Sequence, residues 1–591
     1  MKTTTKTLRL PAKQFHYIFL ALLGTLLLLS RAAYSQGFLR ADGQRIVNEK
    51  NENVLLRGVG LGGWMLQEGY MLRVNGEGQQ HKIRKRIEDL VGPEKTKIFY
   101  EKWLANHTTR ADIDSMKRWG FNSVRLPMHY ALYTLPVEKE PVKGRQTWLE
   151  KGFAMTDSLL AWCKANQMYL ILDLHAAPGG QGNDFNISDR DPAVPSLWDS
   201  EENRQKTIAL WRKLAQRYAN EPWIGAYDII NEPNWGFTDP AGDKNGTKEK
   251  LNAPLQKLLQ DITKAIRTVD KKHLVIIEGN GWGNNYNGIE PTWDKNMALS
   301  FHKYWSFNDD ASAAQMLKLR EKYNMPAWLG ETGENSNVWF TEAIALFEKN
   351  NIGWAWWPLK KLGGNNPLQI PSNADYDKIT AFWGGRGDKP DAETAWRGLS
   401  RLAEDLHIKN NLVQYDVIDA MLRQPHSSET RPFKAHVLER KLVMAAADYD
   451  LGKNGFAYFD NDTADYHVST GKNTPGNRGR AYRNDGVDIA MKEGGITYVN
   501  HIEKGEWLAY TVQVKEGGSY KLVLRAENSE GKGTASLLLN GMRLAGAKLE
   551  KSQGSPVVTT IAGIELEPGT QKLVLRADEG GFDLYTLELS K

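Results

Sequence analysis

Between residues 39 and 422, short apolar runs rich in β-formers alternate with longer amphipathic segments. The runs fall at 54–59, 123–126, 169–174, 225–230, 274–278, 298–301, 327–330 and 352–357, and their composition predicts buried strands. Between them the helical period is clear. Ile208, Trp211, Ala215 and Tyr218 share one face of a segment that stops before Pro222, and Ile113, Met116 and Trp119 do the same before Gly120, a natural helix stop. Eight buried strands separated by helices predict a closed (β/α)8 TIM barrel over 36–422, with an open doubly wound sheet as the structural alternative. Residues 423–440 are polar with two prolines and read as a linker. From 441 to 591 the period changes to two: the segments 506–514, 520–526, 534–539, 571–577 and 582–589 alternate in strand fashion between Gly-rich turns, as in an all-β jelly-roll or β-sandwich module. KLVLRA occurs at 521–526 and again at 572–577, and two copies read as two strands under similar constraints.

Charge sharpens the picture. The chain has 76 Lys+Arg and 71 Asp+Glu, but the first 35 residues hold five basic residues and no acid, so 36–591 is neutral overall. A neutral body argues against nucleic acid as a partner. The basic start, the 13-residue apolar run 17–29 and Ala33-Tyr34-Ser35 before Gln36 read as a signal peptide over 1–35, with a retained anchor as the rival. The expected location is secreted or periplasmic, in a bacterium, with no membrane span once the leader is lost. Cys163 is the only cysteine, which excludes a disulfide framework and cysteine-based metal sites.

If the first domain is a barrel, its chemistry lies where the strands end at their C-terminal side. Those ends carry Arg125, His175, Asn231 and Glu232, His302 and Tyr304, Glu331 and Trp357. Two carboxyls among Arg, Asn, His, Tyr and Trp suit glycoside hydrolysis, which needs one acid kept protonated and one kept ionised. Glu334 falls beyond the strand end and is set aside as nucleophile. Trp356 alternates with Trp357 and is expected to face the other way. Gly58, Gly60 and Gly63 outline a G-x-G-x-x-G dinucleotide site, but no helix start follows, so the match reads as coincidence.

In this order the motifs resemble glycoside hydrolase family 5. RGVGLGGWM (57–65) and DLHAAPGGQ (173–181) are especially similar to its exo-β-1,3-glucanase-like members. The resemblance implies Glu232 as acid/base, Glu331 as nucleophile, Asn231 as partner of the sugar 2-hydroxyl, and Arg125 and Tyr304 as neighbours of the nucleophile. His175 and His302 would line the site and Trp357 would be the stacking platform. It also implies retention of anomeric configuration, a β-linked polysaccharide or oligosaccharide as substrate, and no cofactor or metal. Glucan is the first expectation and mannan the second. A transglycosylase would use the same residues, and a non-catalytic polysaccharide-binding protein is the reading from a different class. The chain is expected to act as a monomer.

Of the 20 tryptophans, 19 lie between Trp64 and Trp396, so aromatic recognition belongs to the barrel. Trp119, Trp162 and Trp211 sit on helical faces and are expected in the core, whereas Trp64, Trp235, Trp282, Trp305 and Trp383 are candidates for further sugar subsites. Residues 445–591 resemble a family 6 carbohydrate-binding module through AAADYD, GRAYRNDGVDI, GEWLAYTV and GGFDLYTLEL. Tyr482 matches the first aromatic of that family's ligand cleft, while Trp507, the module's only tryptophan, belongs to its core motif. Ala445 and Ala447 replace the usual calcium-binding carboxylates, although Asp583 remains.

Overall fold

The computed structural model describes residues 37–591 apart from 75, 475, 477, 479 and 480, so the expected leader lies outside the described residues. Eight strands, β1 (Arg57–Gly60), β2 (Ser123–His129), β3 (Tyr169–Ala176), β4 (Ile224–Asp228), β5 (Leu274–Glu278), β6 (Met297–Lys303), β7 (Ala327–Gly333) and β8 (Gly353–Trp357), form a closed barrel. Closure is parallel: Trp354 of β8 lies beside Arg57 of β1 and Ala355 beside Gly58. That pairing removes the open-sheet alternative. The glycines of the G-x-G-x-x-G outline serve packing. A Cβ on Gly58 would sit 2.4 Å from Ser123 Oγ, and one on Gly60 would sit 2.6 Å from Trp357 Cε3, so side chains there would push β1 off β2 and displace the indole.

Local signals place the helices around this barrel. Thr109 and Asp112 form a capping box at the start of Arg110–Trp119, and Gly120 ends it with φ 117°. Ser200 caps Glu201–Tyr218, which buries Trp211, Leu214, Ala215 and Tyr218 against the barrel.

The C-terminal module is two antiparallel-rich sheets. One orders His436–Leu438, Trp507–Val514, Gly569–Glu579, Thr534–Leu539 and Met542–Lys548; the other orders Ile489–Met491, Thr497–Val499, Asp583–Ser590, Gly518–Glu527 and Val557–Leu566. The two KLVLRA copies lie in opposite sheets, and in each the Leu, Leu and Ala face the shared core. The linker is shorter than expected. His436–Leu438 pairs in parallel with Trp507–Val514 because His436 and Leu438 are buried while Val437 between them is exposed, a strand alternation hidden in a polar stretch. Among the described residues no helix is long and apolar enough to cross a membrane.

Candidate active site

The C-terminal ends of the strands converge on Arg125, which is fully buried in β2. Its Nε donates to Asp228 at 3.0 Å, its Nη2 to Asp228 and Asn231 at 2.8 Å and to Glu278 at 3.2 Å, and its Nη1 to Glu331. Asp173 lies 3.4 Å away. One guanidinium thus serves four carboxyl groups in a low-dielectric interior. Burial opposes its charge, but Asp173, Asp228, Glu331 and Glu278 outweigh that and hold its pKa well above the ordinary value. Replacement by methionine would leave those acids buried without their cation. Arg125→Met is expected to cost about 3–5 kcal/mol at neutral pH, read as a lowered midpoint in urea unfolding, with the deficit growing as pH rises.

Glu232 and Glu331 face each other across this centre. Glu232, Glu331 and His302 each present one atom, and the three atoms lie within 4.8 Å of one another. His302 Nδ1 is 2.6 Å from Glu232 Oε1, and Tyr304 Oη donates to Glu331 Oε2 at 3.1 Å. The two carboxyls have different surroundings. Burial lifts the Glu232 carboxyl to about 7, with Glu331 and Glu278 adding to the rise and His302 opposing it. Glu331 instead has Arg125 on one oxygen and the Tyr304 hydroxyl on the other. His302 is itself held well above its ordinary value: burial opposes its charge, but Glu278, Glu331 and Glu232 prevail. The three ligand atoms are close enough for a cation, but Arg125 and a protonated His302 already supply positive charge there.

Glu232 adopts φ 44°, a left-handed conformation costly for a non-glycine residue. Its N–H donates to Glu278 Oε2 at 2.7 Å, so a buried acid at the end of β5 holds the strained turn that aims the side chain inward. On the opposite wall, His175 Nδ1 lies 2.8 Å from Asp173, and Asn231 Nδ2 donates to His175 Nε2 at 3.3 Å. Burial depresses the His175 pKa to about 3, so the ring is neutral and its tautomer follows: Nδ1–H to Asp173, lone pair to Asn231. The Trp357 indole lies parallel to His175, with centroids 5.0 Å apart, and donates to Tyr70 Oη at 2.9 Å. Trp356 is fully buried against Trp339 and Phe340. Glu334 binds Lys361 Nζ at 2.5 Å.

Three buried acids here carry no role from sequence reasoning: Asp173, Asp228 and Glu278. Each is an acid inside an otherwise apolar strand, which was a usable signal. Glu68 is the fourth. It lies 3.9 Å from His175 Nε2, and its pKa is pushed well above the ordinary carboxyl value by burial and then by Glu331, Glu232 and Glu334.

The tryptophans divide differently from expectation. Trp64 is 3% exposed, lies in the main core, and donates its indole N–H to the Leu104 carbonyl at 2.9 Å. It offers no face to a sugar. Trp383 ends the helix Ala374–Trp383 and packs against the cluster built on Gln80–His107. Trp235, Trp282 and Trp305 are partly exposed in loops after β4, β5 and β6; Arg190 lies over the Trp235 ring at 5.4 Å, and the Trp282 side chain bonds Asp184. Tyr482 is in the C-terminal module. Its hydroxyl donates to Asp448 at 2.5 Å, Lys434 lies over its ring at 5.2 Å and Phe433 meets its edge, so the polar connecting segment covers the ring that a sugar cleft would need open. Calcium does not fit at the start of the module either: Ala445 and Ala447 have no ligand oxygen in their side chains, and the Ala446 carbonyl is taken by Tyr510 Oη at 2.8 Å.

Residues 86–363 match the model of the cellulase family, glycosyl hydrolase family 5. The chain is 28% identical to a beta-xylosidase of Phanerodontia chrysosporium over 376 residues, 57% of this chain and 74% of that protein. It is 30% identical to endoglucanase C of Acetivibrio thermocellus over 211 residues, 36% of this chain and 52% of the relative. It is 28% identical to a probable glucan 1,3-beta-glucosidase A of Aspergillus clavatus over 256 residues, 42% and 57% of the two chains. The match thus spans about half the length of the latter two relatives.

Proposed function

Starting from a glycosyl hydrolase family 5 domain, we propose that the protein is an exported, retaining hydrolase that cleaves β-glucosidic linkages of a polysaccharide by double displacement. The observation that carries this reading is the pairing of Glu232, lifted to about 7, with Glu331 inside one cluster of atoms no more than 4.8 Å apart. Retaining enzymes need carboxyls about 5 Å apart, and inverting enzymes leave roughly 6.5–9.5 Å for a water. In the first step Glu331 attacks the anomeric carbon while Glu232 passes its proton to the departing glycosidic oxygen. In the second, Glu232, now ionised, takes a proton from water, which attacks the same carbon and frees Glu331. The chemistry requires no metal or cofactor. Arg125 and Tyr304 each engage one oxygen of Glu331 and orient it, and Asn231, fixed between Arg125 and His175, would hold a sugar hydroxyl.

Export rests on the leader pattern in residues 1–35. The family 6-like resemblance of the C-terminal module supports a carbohydrate-related role, but the covered Tyr482 argues against binding in the usual cleft. A panel of β-1,3-, β-1,4-, β-1,6- and mixed-linkage glucans, with mannan and xylan, is expected to show fastest release from a β-glucan, with β-anomer formed first by proton NMR. Preference for xylan or mannan reassigns the substrate, and transfer products in place of free sugar reassign the reaction. Initial α-anomer or no cleavage at all sinks the reading.

A further inference from the structure

The C-terminal module grips two loops of the active site. After Glu331 the chain leaves β7 through Glu334 and Asn335 into the helix Asn337–Lys349. Asn337 N–H donates to Asn484 O at 2.8 Å, Asn484 Nδ2 donates to Asn335 O at 2.9 Å, Asp465 N–H donates to Asn335 Oδ1 at 3.1 Å, and Asn335 Nδ2 returns a bond to Asp465 O at 2.7 Å. Asn337 Nδ2 bridges Asp416 of the barrel and Asp485 of the module at 2.8 and 3.0 Å. Asn335, Asn337, Asp416 and Asp485 are all buried, so the contact is a satisfied polar network with defined geometry. At the loop after β6, Val468 N–H donates to Trp305 O at 2.9 Å, Phe307 N–H donates to Ser469 Oγ at 2.9 Å, and the His467 ring stacks on Trp305 with centroids 5.1 Å apart.

Those contacts extend the catalytic centre outward. Tyr304, bonded to Glu331, has its ring 5.2 Å from that of Trp305, and Trp305 Nε1 donates to Glu334 O at 3.1 Å. Tyr304, Trp305 and His467 therefore form a continuous aromatic strip that begins at the nucleophile and ends on the second domain. Asp465 engages His467 Nδ1 at 3.0 Å, which leaves Nε2 as the ring nitrogen directed elsewhere, and the side chain is 34% exposed. The exposed edge of this strip sets apolar ring carbons beside a hydrogen-bonding nitrogen, a pairing suited to the C–H and hydroxyl groups of a pyranose unit.

We propose that the module completes the substrate cleft: Trp305 and His467 form a sugar subsite, shared between the two domains, for a unit of the β-linked chain distal to the bond being cleaved. The inference rests on the glycosidase reading above. It makes the module a wall of the active site, in place of a tethered binding domain.

The test compares kcat/KM for a hexasaccharide and a disaccharide of the linkage that the wild-type protein prefers, in His467→Ala, His467→Phe and Trp305→Ala. The hexasaccharide-to-disaccharide ratio is expected to fall about tenfold in His467→Ala and Trp305→Ala, the loss of one sugar contact at the shared edge. His467→Phe, which keeps the ring and the docking backbone, should lie between. A wild-type ratio in the folded variants, an equal loss at both chain lengths, or a flat chain-length dependence in the wild-type protein overturns the subsite. A wild-type protein that cleaves no β-glycan instead defeats the glycosidase reading, and the subsite falls with it.

Discussion

Glu331→Ala is expected to reduce turnover of the best β-glucan by on the order of 10⁴-fold or more. Double displacement stores the sugar on one carboxylate, and only Glu331 has Arg125 and Tyr304 on its two oxygens at this position. The nearest rival in sequence, Glu334, is tied to Lys361. Arg125 keeps Asp228, Glu278 and Asn231 after the change, so the fold and substrate binding should survive and the loss should fall on kcat. The vacated space gives a sharper readout. With an aryl β-glucoside and added azide, the small anion can attack from the face that Glu331 occupied, so α-glycosyl azide is the expected product. Turnover within tenfold of wild type would remove Glu331 from the nucleophile's role, and β-azide would place the missing group on the other face.

Strand ends were the part of this site written most legibly in the sequence. His175, Asn231, Glu232, His302, Glu331 and Trp357 each lie at or near the end of an apolar run, and parallel strands in a barrel bring such ends to one mouth; the sequence placed Arg125 at such an end too, but β2 continues four residues beyond it, to His129. Asp173 was equally readable, being two residues before His175 and so on its face of β3. Glu68 and Tyr70 were not. They lie at a single 3-10 turn, Gly69–Leu72 with Glu68 before it, in the connection after β1, and their place beside His175 and Trp357 depends on how that connection folds back. The same reason misplaced Trp64: its partner Leu104 lies 40 residues on, in the helix Gln80–His107, a pairing without local signature. Barrel closure joins Trp354 to Arg57, and periodicity alone, a property of single segments, does not distinguish it from an open sheet. The clasp of Asn335, Asn337 and Asn484 comes from residues that read individually as loop polarity.

The acid/base assignment predicts a pH profile whose alkaline side belongs to Glu232. Burial favours the neutral carboxyl, and the negative charges of Glu331 and Glu278 add to that; His302 opposes but does not cancel it, and the group stands at about 7 against an ordinary 4.5. The proton it must donate is therefore present below about 7 and lost above, so kcat/KM on a β-glucan should fall tenfold per pH unit on the alkaline side. The same shift is linked to stability. The folded state holds a proton that the unfolded state releases near 4.5, so the contribution is complete below that value and disappears as pH rises through about 7. Glu232→Gln separates the two carboxyls. With an aryl β-glucoside whose leaving group needs no proton, the first displacement should persist, the alkaline limb should vanish, and the second displacement should become limiting because no base activates water. Added azide should then restore turnover and give β-glycosyl azide, the opposite anomer from the Glu331→Ala reaction. An alkaline limb that survives in Glu232→Gln transfers the proton-donating role to another group, and His302, 2.6 Å away and held well above its ordinary pKa, would be the first to test.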